Sequence, residues 1–217
     1  MADEREPSSS ADAAPAEEAG DDAAPSAYCQ PLGGAVFFGP VQPEQLDRIH
    51  ALEAESYPED EAATYDKLKF RIQNAADVFL VAMRSADGGG EAGAAGAVSD
   101  PEVVGYVCGT CTSAGRLTHE SMAAHEPEGD LLCVHSVVVE AGLRRRGLAT
   151  RLLRAYTAYV GASSPGLRGI RLICKQDLVR LYEGAGFTLV GPSSVVHGRD
   201  PWIEMAMQLG GSDDGEQ

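Results

Sequence analysis

The chain has 217 residues, of which 44% are hydrophobic and 23% are charged, a composition typical of a globular protein with one substantial core. Its formal net charge of -16 argues against a nucleic-acid partner, because phosphate backbones are bound by basic surfaces. No apolar run reaches the length of a membrane span or of a signal-peptide core, so we expect a cytoplasmic protein without a membrane partner.

The two ends of the chain are acidic and poor in large apolar side chains. Eight acids and one base, Arg5, fall within the first 25 residues, and the segment 210–217 (GGSDDGEQ) has the same character. Such segments bury too little apolar area to offset the entropy that they would lose on ordering. We therefore predict disordered tails over residues 1–30 and 210–217, on either side of one folded domain over residues 34–209.

Apolar periodicity and turn-forming residues predict helices and strands in the order β-α-α-β-β-β-α-β-α-β-β. Strands are predicted over 35–38, 78–83, 102–110, 131–139, 170–174, 187–190 and 202–209, and helices from Pro43 and over 65–73, 148–160 and 178–185. The Gly- and Ala-rich residues 86–100 predict a hairpin loop. Because strand-helix-strand segments need crossovers, the predicted fold class is α/β with a mixed sheet flanked by helices.

Five cysteines are scattered through the chain, and we expect them to be reduced thiols. Cys108 and Cys111 form a CxxC pattern inside a run of alternating apolar residues. That alternation predicts a strand, in which residues three apart point to opposite faces. The pair is therefore a poor metal or redox site, and we predict no metal centre.

The segment between the longest predicted strand and the next helix, Leu143 to Thr150, has the sequence LRRRGLAT. The small residues Gly147 and Ala149 let the backbone approach an anion, and the first N–H groups of a helix point outward at the positive end of its dipole. The three consecutive arginines add positive charge at the same place. This segment therefore predicts a phosphate-binding turn.

A basic triplet alone is also typical of a solvated turn or of a nuclear-localisation patch. Its position between a strand and a helix favours phosphate binding. The chain contains no GK[ST] of a Walker loop, and the single Gly147 does not make this turn the GxGxxG of a dinucleotide-binding turn. A coenzyme with a flexible pantetheine arm therefore fits this turn better than ATP or NAD.

The pattern Arg144-x-x-Gly147-x-Ala149 resembles the [QR]-x-x-G-x-[GA] signature of the GNAT N-acetyltransferase superfamily. Four further segments resemble its arylalkylamine (serotonin) N-acetyltransferase branch: RLTHESMAAH (116–125), CVH (133–135), CKQDLVRLYEGAGF (174–187) and VGP (190–192). The resemblance implies the GNAT acyl-CoA N-acyltransferase fold and acetyl-CoA as co-substrate. It also implies direct acetyl transfer, through a ternary complex, to amines such as serotonin and tryptamine, as in melatonin biosynthesis.

The same resemblance assigns roles to individual residues. Tyr182 stands where the family places its general acid, and His135 stands where a histidine pair carries the proton of the amine away through water. Cys133 replaces the first histidine of that pair, which predicts a single-histidine relay or a shifted water chain. The coenzyme contacts implied are Val137, Val138, Val139, Arg144, Arg145, Arg146, Gly147, Leu148, Ala149, Thr150 and Tyr182.

For the amine, the resemblance implies a pocket that includes Cys133, with Trp202 lining it and Tyr57 and Pro58 in a lid. Each residue also has a structural interpretation: a strand histidine, a buried tyrosine and a tryptophan near a last strand are common core residues. The family's usual Cys-Pro-Leu is not found in the segment SYPEDEAAT, which leaves the substrate range open.

Two other functions remain open at this point. In the first, the enzyme transfers the acetyl group to a polyamine or a protein amine. In the second, the chain is an inactive module that binds acetyl-CoA. The acidic ends lack the basic phosphorylation sites through which vertebrate members of the family dock 14-3-3 proteins, so we expect no such docking. The family resemblance further implies a monomer.

Overall fold

The computed structural model describes residues 35–85, 100–195 and 198–210, and its elements follow the predicted order. The predicted tails and the predicted loop over 86–100 lie almost wholly outside these residues. The helices are α1 (Leu46–Ser56), α2 (Tyr65–Asn74), α3 (Leu148–Ser163) and α4 (Val179–Gly184). The strands are β1 (Val36–Pro40), β2 (Phe79–Arg84), β3 (Glu102–Thr112), β4 (Leu131–Val139), β5 (Gly169–Cys174), β6 (Thr188–Pro192) and β7 (Ile203–Gln208).

The strands form one sheet in the order β1-β2-β3-β4-β5-β7-β6. β4 and β5 run parallel and are joined by α3, whereas the other neighbouring strands pair antiparallel. The predicted mixed sheet and the predicted β2–β3 hairpin are therefore confirmed. The end of the chain differs slightly from the prediction, because Trp202 lies immediately before β7 rather than within it.

Helices cover both faces of the sheet. The helical spacing of Ile49 and Leu52 turns both side chains of α1 toward the sheet, where they are fully buried beside α2. On the opposite face, α3 buries Leu152 and Tyr156 in the larger core. Cys108 packs in the core on the α1 side of the sheet, and Cys111 packs in the core on the α3 side. This confirms that the two cysteines point to opposite faces.

Two irregularities of β4 shape the middle of the sheet. Cys108 of β3 pairs with Ser136, but the next residue, Gly109, pairs with Val134, so His135 is the extra residue of a β-bulge. β4 also pairs with β5 only through Leu131–Val134. Beyond Val134 the two parallel strands separate, and the edge of β4 over residues 135–139 faces a cleft.

No helix within the described residues combines the length and the apolar composition that crossing a bilayer requires.

Candidate active site

A cavity of about 550 Å³ opens where β4 and β5 separate. A volume of this size is typical of small-ligand sites. The cavity is lined by six of the residues that the sequence analysis assigns to the site: Tyr57, Pro58, His135, Val137, Tyr182 and Trp202. The other assigned residues, Cys133, Val138, Val139 and the turn 144–150, lie outside the lining.

The open edge of β4 is bonded to a tyrosine from the loop after α1. The Tyr57 hydroxyl accepts the Val137 N–H at 3.2 Å and donates to the Val137 carbonyl at 3.3 Å. Burial, followed by the charge of Glu53, raises the pKa of Tyr57 well above its usual range, so the hydroxyl keeps its proton. Tyr57 thus satisfies the backbone groups that the resemblance assigns to the coenzyme arm.

His135 is held by a hydroxyl of the neighbouring strand. Thr110 Oγ1 lies 2.7 Å from His135 Nε2 and donates its one proton to the Ser121 carbonyl at 3.0 Å. Thr110 must then accept from the histidine, which assigns the ring proton to Nε2. Nδ1 is left as a buried lone pair with no hydrogen-bond partner among the described residues.

The surroundings of His135 keep its ring neutral. Burial is the largest cause, and the positive charges of Arg71 and Lys67 add to it, so the pKa of His135 lies well below 6.5. A neutral imidazole with a free ring nitrogen is a proton acceptor at neutral pH.

The RLTHES segment holds the acceptor of the Thr110 proton. Thr118 and Ser121 cap each other: the Thr118 N–H donates to Ser121 Oγ at 2.9 Å, and the Ser121 N–H donates to Thr118 Oγ1 at 3.1 Å. Because the Ser121 carbonyl bonds Thr110, this turn fixes the hydrogen-bond chain behind His135.

Tyr182 reaches the same cavity from α4, on the β5 side of the cleft. Its side chain is 6% exposed, and its ring packs edge-on against Phe187 with 5.9 Å between the centroids. Burial, then Tyr57 and Cys174, raises its pKa well above the usual range. The phenol is therefore protonated throughout the neutral pH range.

Cys133 differs from its predicted position in the amine pocket. It is fully buried in a small cluster with Leu117 and Val195, and its sulfur lies 3.5 Å from Ser121 Oγ. Burial raises the pKa of this thiol, which keeps it neutral. Cys133 therefore packs behind the RLTHES turn, outside the cavity lining.

A buried carboxylate that the sequence did not indicate lines the cavity. Glu53 of α1 accepts the Ala63 N–H at 2.8 Å, Ser136 Oγ at 3.0 Å and the Tyr106 hydroxyl at 2.5 Å. These bonds join the lid loop to β3 and β4. The signal available in the sequence was an acid on the apolar stripe of α1, one residue after Leu52.

The turn before α3 has the backbone of an anion site. Gly147 precedes α3 with φ +78°, and no side chain caps the helix. A left-handed residue followed by a helical one directs successive N–H groups toward one point. Arg145 is also left-handed, with φ +62°, a conformation that is strained for an arginine and that recurs at functional turns.

The arginines of this turn have different surroundings. Arg144 donates from Nε to the Val139 carbonyl and from Nη2 to Ser56 Oγ, both at 2.9 Å, and so ties the end of β4 to α1. Arg145 is exposed and Arg146 is half-buried. Of the helix residues, Leu148 is a core residue at 1% exposure, whereas Ala149 and Thr150 are half-buried.

Trp202 lines the cavity next to a positive charge. The Lys175 ammonium lies 4.0 Å from the centroid of its ring. That face of the indole is therefore covered by a cation.

Comparisons with known proteins point to the same kind of site. The sequence model of the Acetyltransferase (GNAT) family matches residues 46–187. A serotonin N-acetyltransferase from Mesocricetus auratus is 34% identical over 107 residues, 49% of this chain and 51% of that protein. The chain thus spans about half the length of the curated relatives it matches.

Two solved structures share the fold. The GphF GNAT-like decarboxylase in complex with isobutyryl-CoA has 17% identity and a TM-score of 0.62, covering 80% of this chain and 99% of its own. The Salmonella typhimurium protein yncA with its cofactor acetyl-CoA has 14% identity and a TM-score of 0.56, covering 82% and 95%.

The family match covers well over half of the chain, and the protein belongs to the GNAT family of acetyltransferases.

Proposed function

We propose that the protein transfers the acetyl group of acetyl-CoA to the primary amine of arylalkylamines such as serotonin and tryptamine. The observation that carries the proposal is the grouping of His135, Tyr182 and the open β4 edge at Val137 around one cavity. Relatives named serotonin N-acetyltransferase, at 30–34% identity over about half of the chain, support the choice of amine.

The residues around the cleft fit acetyl-CoA, which supplies the activated acetyl group as a thioester. A Cβ at Gly147 would have no heavy atom within 4 Å, so an anion can reach the N–H groups at the start of α3. The open edge over 135–139 can pair with an extended pantetheine arm as a strand would. Val137 offers its N–H to the thioester carbonyl, where negative charge develops in the transition state.

Replacing Gly147 with Ala tests this coenzyme site. The backbone at Gly147 is left-handed, so an added Cβ is strained there and should lower the free energy of unfolding by about 1–2 kcal/mol. The same Cβ projects into the space assigned to the pyrophosphate. We expect the Kd of acetyl-CoA, measured by calorimetry, to rise roughly tenfold, which corresponds to a loss of about 1.4 kcal/mol of binding free energy. Gly142→Ala is the matched control, because Gly142 lies in an exposed turn without a positive φ. Equal Kd values for the two variants would contradict the assignment.

Tyr57 must leave Val137 before the thioester can take the same N–H. Its hydroxyl bonds both backbone groups of Val137. Since Tyr57 begins the loop that covers the amine pocket, acyl binding and the shape of that pocket are coupled through one side chain.

His135 removes a proton from the amine. A primary alkylamine titrates at roughly 10 and is mostly ammonium at neutral pH, so it must lose a proton before it attacks. His135 accepts that proton at Nδ1, directly or through one water. Nδ1 is available because the ring proton is on Nε2, which is bonded to Thr110. This is a relay with a single histidine, one of the two outcomes expected from the cysteine at 133.

Tyr182 stabilises the departing thiolate. A thiol has an ordinary pKa of about 8.5, whereas the pKa of Tyr182 is raised above 10, so complete proton transfer from the phenol is uphill by at least about 2 kcal/mol. Donation of a strong hydrogen bond to the sulfur is the favoured contribution. The neutral phenol supplies that bond across the working pH range.

The rest of the cavity favours an aromatic monoamine over a polyamine. Its wall includes the apolar side chains of Phe70, Met122 and Val195. Two of its carboxylates are already engaged, since Glu53 accepts three hydrogen bonds and Glu61 pairs with Lys175. A polyamine would need several carboxylates for its ammonium groups.

The proposal is tested by measuring CoA release with serotonin, tryptamine, phenylethylamine, spermidine and a lysine peptide. We expect the three arylalkylamines to have the highest kcat/KM. Activity on spermidine or the peptide alone would reverse the choice of acceptor. Acetyl-CoA binding without CoA release for any of the amines would support an inactive coenzyme-binding module.

A further inference from the structure

Two loops that cover the cavity meet at one lysine. Lys175 follows β5, and its Nζ lies 2.6 Å from Glu61 Oε1 in the loop between α1 and α2. The same Nζ lies 3.5 Å from Asp200 Oδ2 and 4.0 Å from the Trp202 ring centroid, both in the segment between β6 and β7. Lys175, Glu61, Asp200 and Trp202 all line the cavity. We call these four residues the roof cluster.

The two loops also touch directly at Gly198. A Cβ built on this glycine would lie 2.7 Å from both Cγ and Oε1 of Glu61, and the residue has φ +68°. Glu61 is consequently enclosed between Gly198 and Lys175, with its side chain 5% exposed. An ion pair so enclosed is less screened than a surface pair and depends more on its geometry.

We propose that Lys175 is a positioning residue that closes the roof of the amine pocket and thereby sets which amines fit. The inference rests on the proposed function. The lysine cation holds the lid loop through Glu61 and the opposite segment through Trp202 and Asp200. While it covers that face of Trp202, the aromatic ring of a substrate packs against the other apolar walls, and the roof limits its length.

The variant Lys175→Met keeps the aliphatic stem and removes the charge. We expect the KM of tryptamine to rise five- to tenfold, with kcat and the Kd of acetyl-CoA changed less than twofold. Phenylethylamine and serotonin should become more nearly equal in kcat/KM, because an open roof no longer selects by size. Glu61→Gln should also raise the KM, and the double variant should be no worse than Lys175→Met, because Lys175→Met alone already removes the Lys175–Glu61 ion pair.

The matched control is Arg171→Met. Arg171 also forms a 2.6 Å ion pair, with Glu204 of β7, but neither residue lines the cavity. Its loss should leave the KM of the amine unchanged. An equal rise of KM in both variants, or a KM of Lys175→Met within twofold of the unsubstituted protein, would overturn the proposal.

Hydrogen–deuterium exchange separates failure of the roof from failure of the proposed function. The backbone amides of residues 57–63 and 198–202 should exchange faster in Lys175→Met than in Arg171→Met. Unchanged exchange there would refute the roof cluster even if arylalkylamines are acetylated. Faster exchange in a protein that acetylates no arylalkylamine would support the role of the roof cluster in holding the two loops and would refute the choice of substrate.

Discussion

Replacing Tyr182 with Phe is expected to lower kcat for tryptamine roughly 100-fold, with the Kd of acetyl-CoA changed less than about threefold. The substitution keeps the ring and its edge-on packing against Phe187 and removes the hydroxyl that we propose to stabilise the departing sulfur. Steady-state kinetics at saturating amine, with coenzyme affinity from calorimetry, measure the two quantities separately.

Tyr156→Phe is the control for this variant. Tyr156 is also fully buried, and its hydroxyl donates to the Val78 carbonyl at 2.9 Å on the far side of the sheet from the amine pocket. Its loss should cost about 1 kcal/mol of unfolding free energy and leave kcat unchanged. If kcat fell equally in both variants, the effect would be structural and Tyr182 would have no role in the chemistry.

Replacing His135 with Gln is expected to lower kcat/KM roughly 100-fold at pH 7, because the proton acceptor is lost while the bond to Thr110 can be kept. The pKa of His135 lies below 6.5, so protonation of this base limits the unsubstituted enzyme only on the acidic side. That acidic limb of the kcat/KM profile should vanish in the variant. A limb that persists unchanged would show that another group accepts the proton.

The same histidine links stability to pH. Its folded-state pKa is depressed, so as the pH falls below about 6.5 the unfolded chain binds the proton first and the free energy of unfolding decreases. The slope contributed by this residue is at most about 1.4 kcal/mol per pH unit. His135→Gln should remove that contribution, whereas His50→Gln, in α1 outside the cavity, should retain it. Identical pH dependence of the two variants in denaturant titrations would contradict the burial of a neutral His135.

Local patterns in the sequence predict the elements of this fold well. The alternation in 102–110 and the spacing of Ile49 and Leu52 reflect contacts within one strand or one helix face, which are repeated along the chain. The turn before α3 was also predicted from a local pattern, namely the small residues and arginines of 143–150 between a strand and a helix. Tyr182, His135 and Trp202 were assigned by family resemblance, and the structure places all three at the cavity.

The features that sequence reasoning missed depend on distant pairings. The bulge at His135 exists only relative to the register of β3, which no pattern within β4 specifies. Lys175 and Glu61 are 114 residues apart, and their contact follows from the packing of two loops. Cys133 was assigned to the amine pocket by the family resemblance, as the replacement of a histidine, but it lies outside the cavity lining and packs against Ser121. Tertiary packing decided each of these positions.

The Tyr57 hydroxyl has a consequence beyond acyl transfer. Parallel strands that separate in the middle of a sheet leave unpaired backbone groups, and such an edge is a template on which a foreign extended chain can pair. Because Tyr57 bonds both the N–H and the carbonyl of Val137, both backbone groups of that residue already have a partner. One side chain thus occupies the two groups through which a foreign extended chain would pair with β4 at Val137.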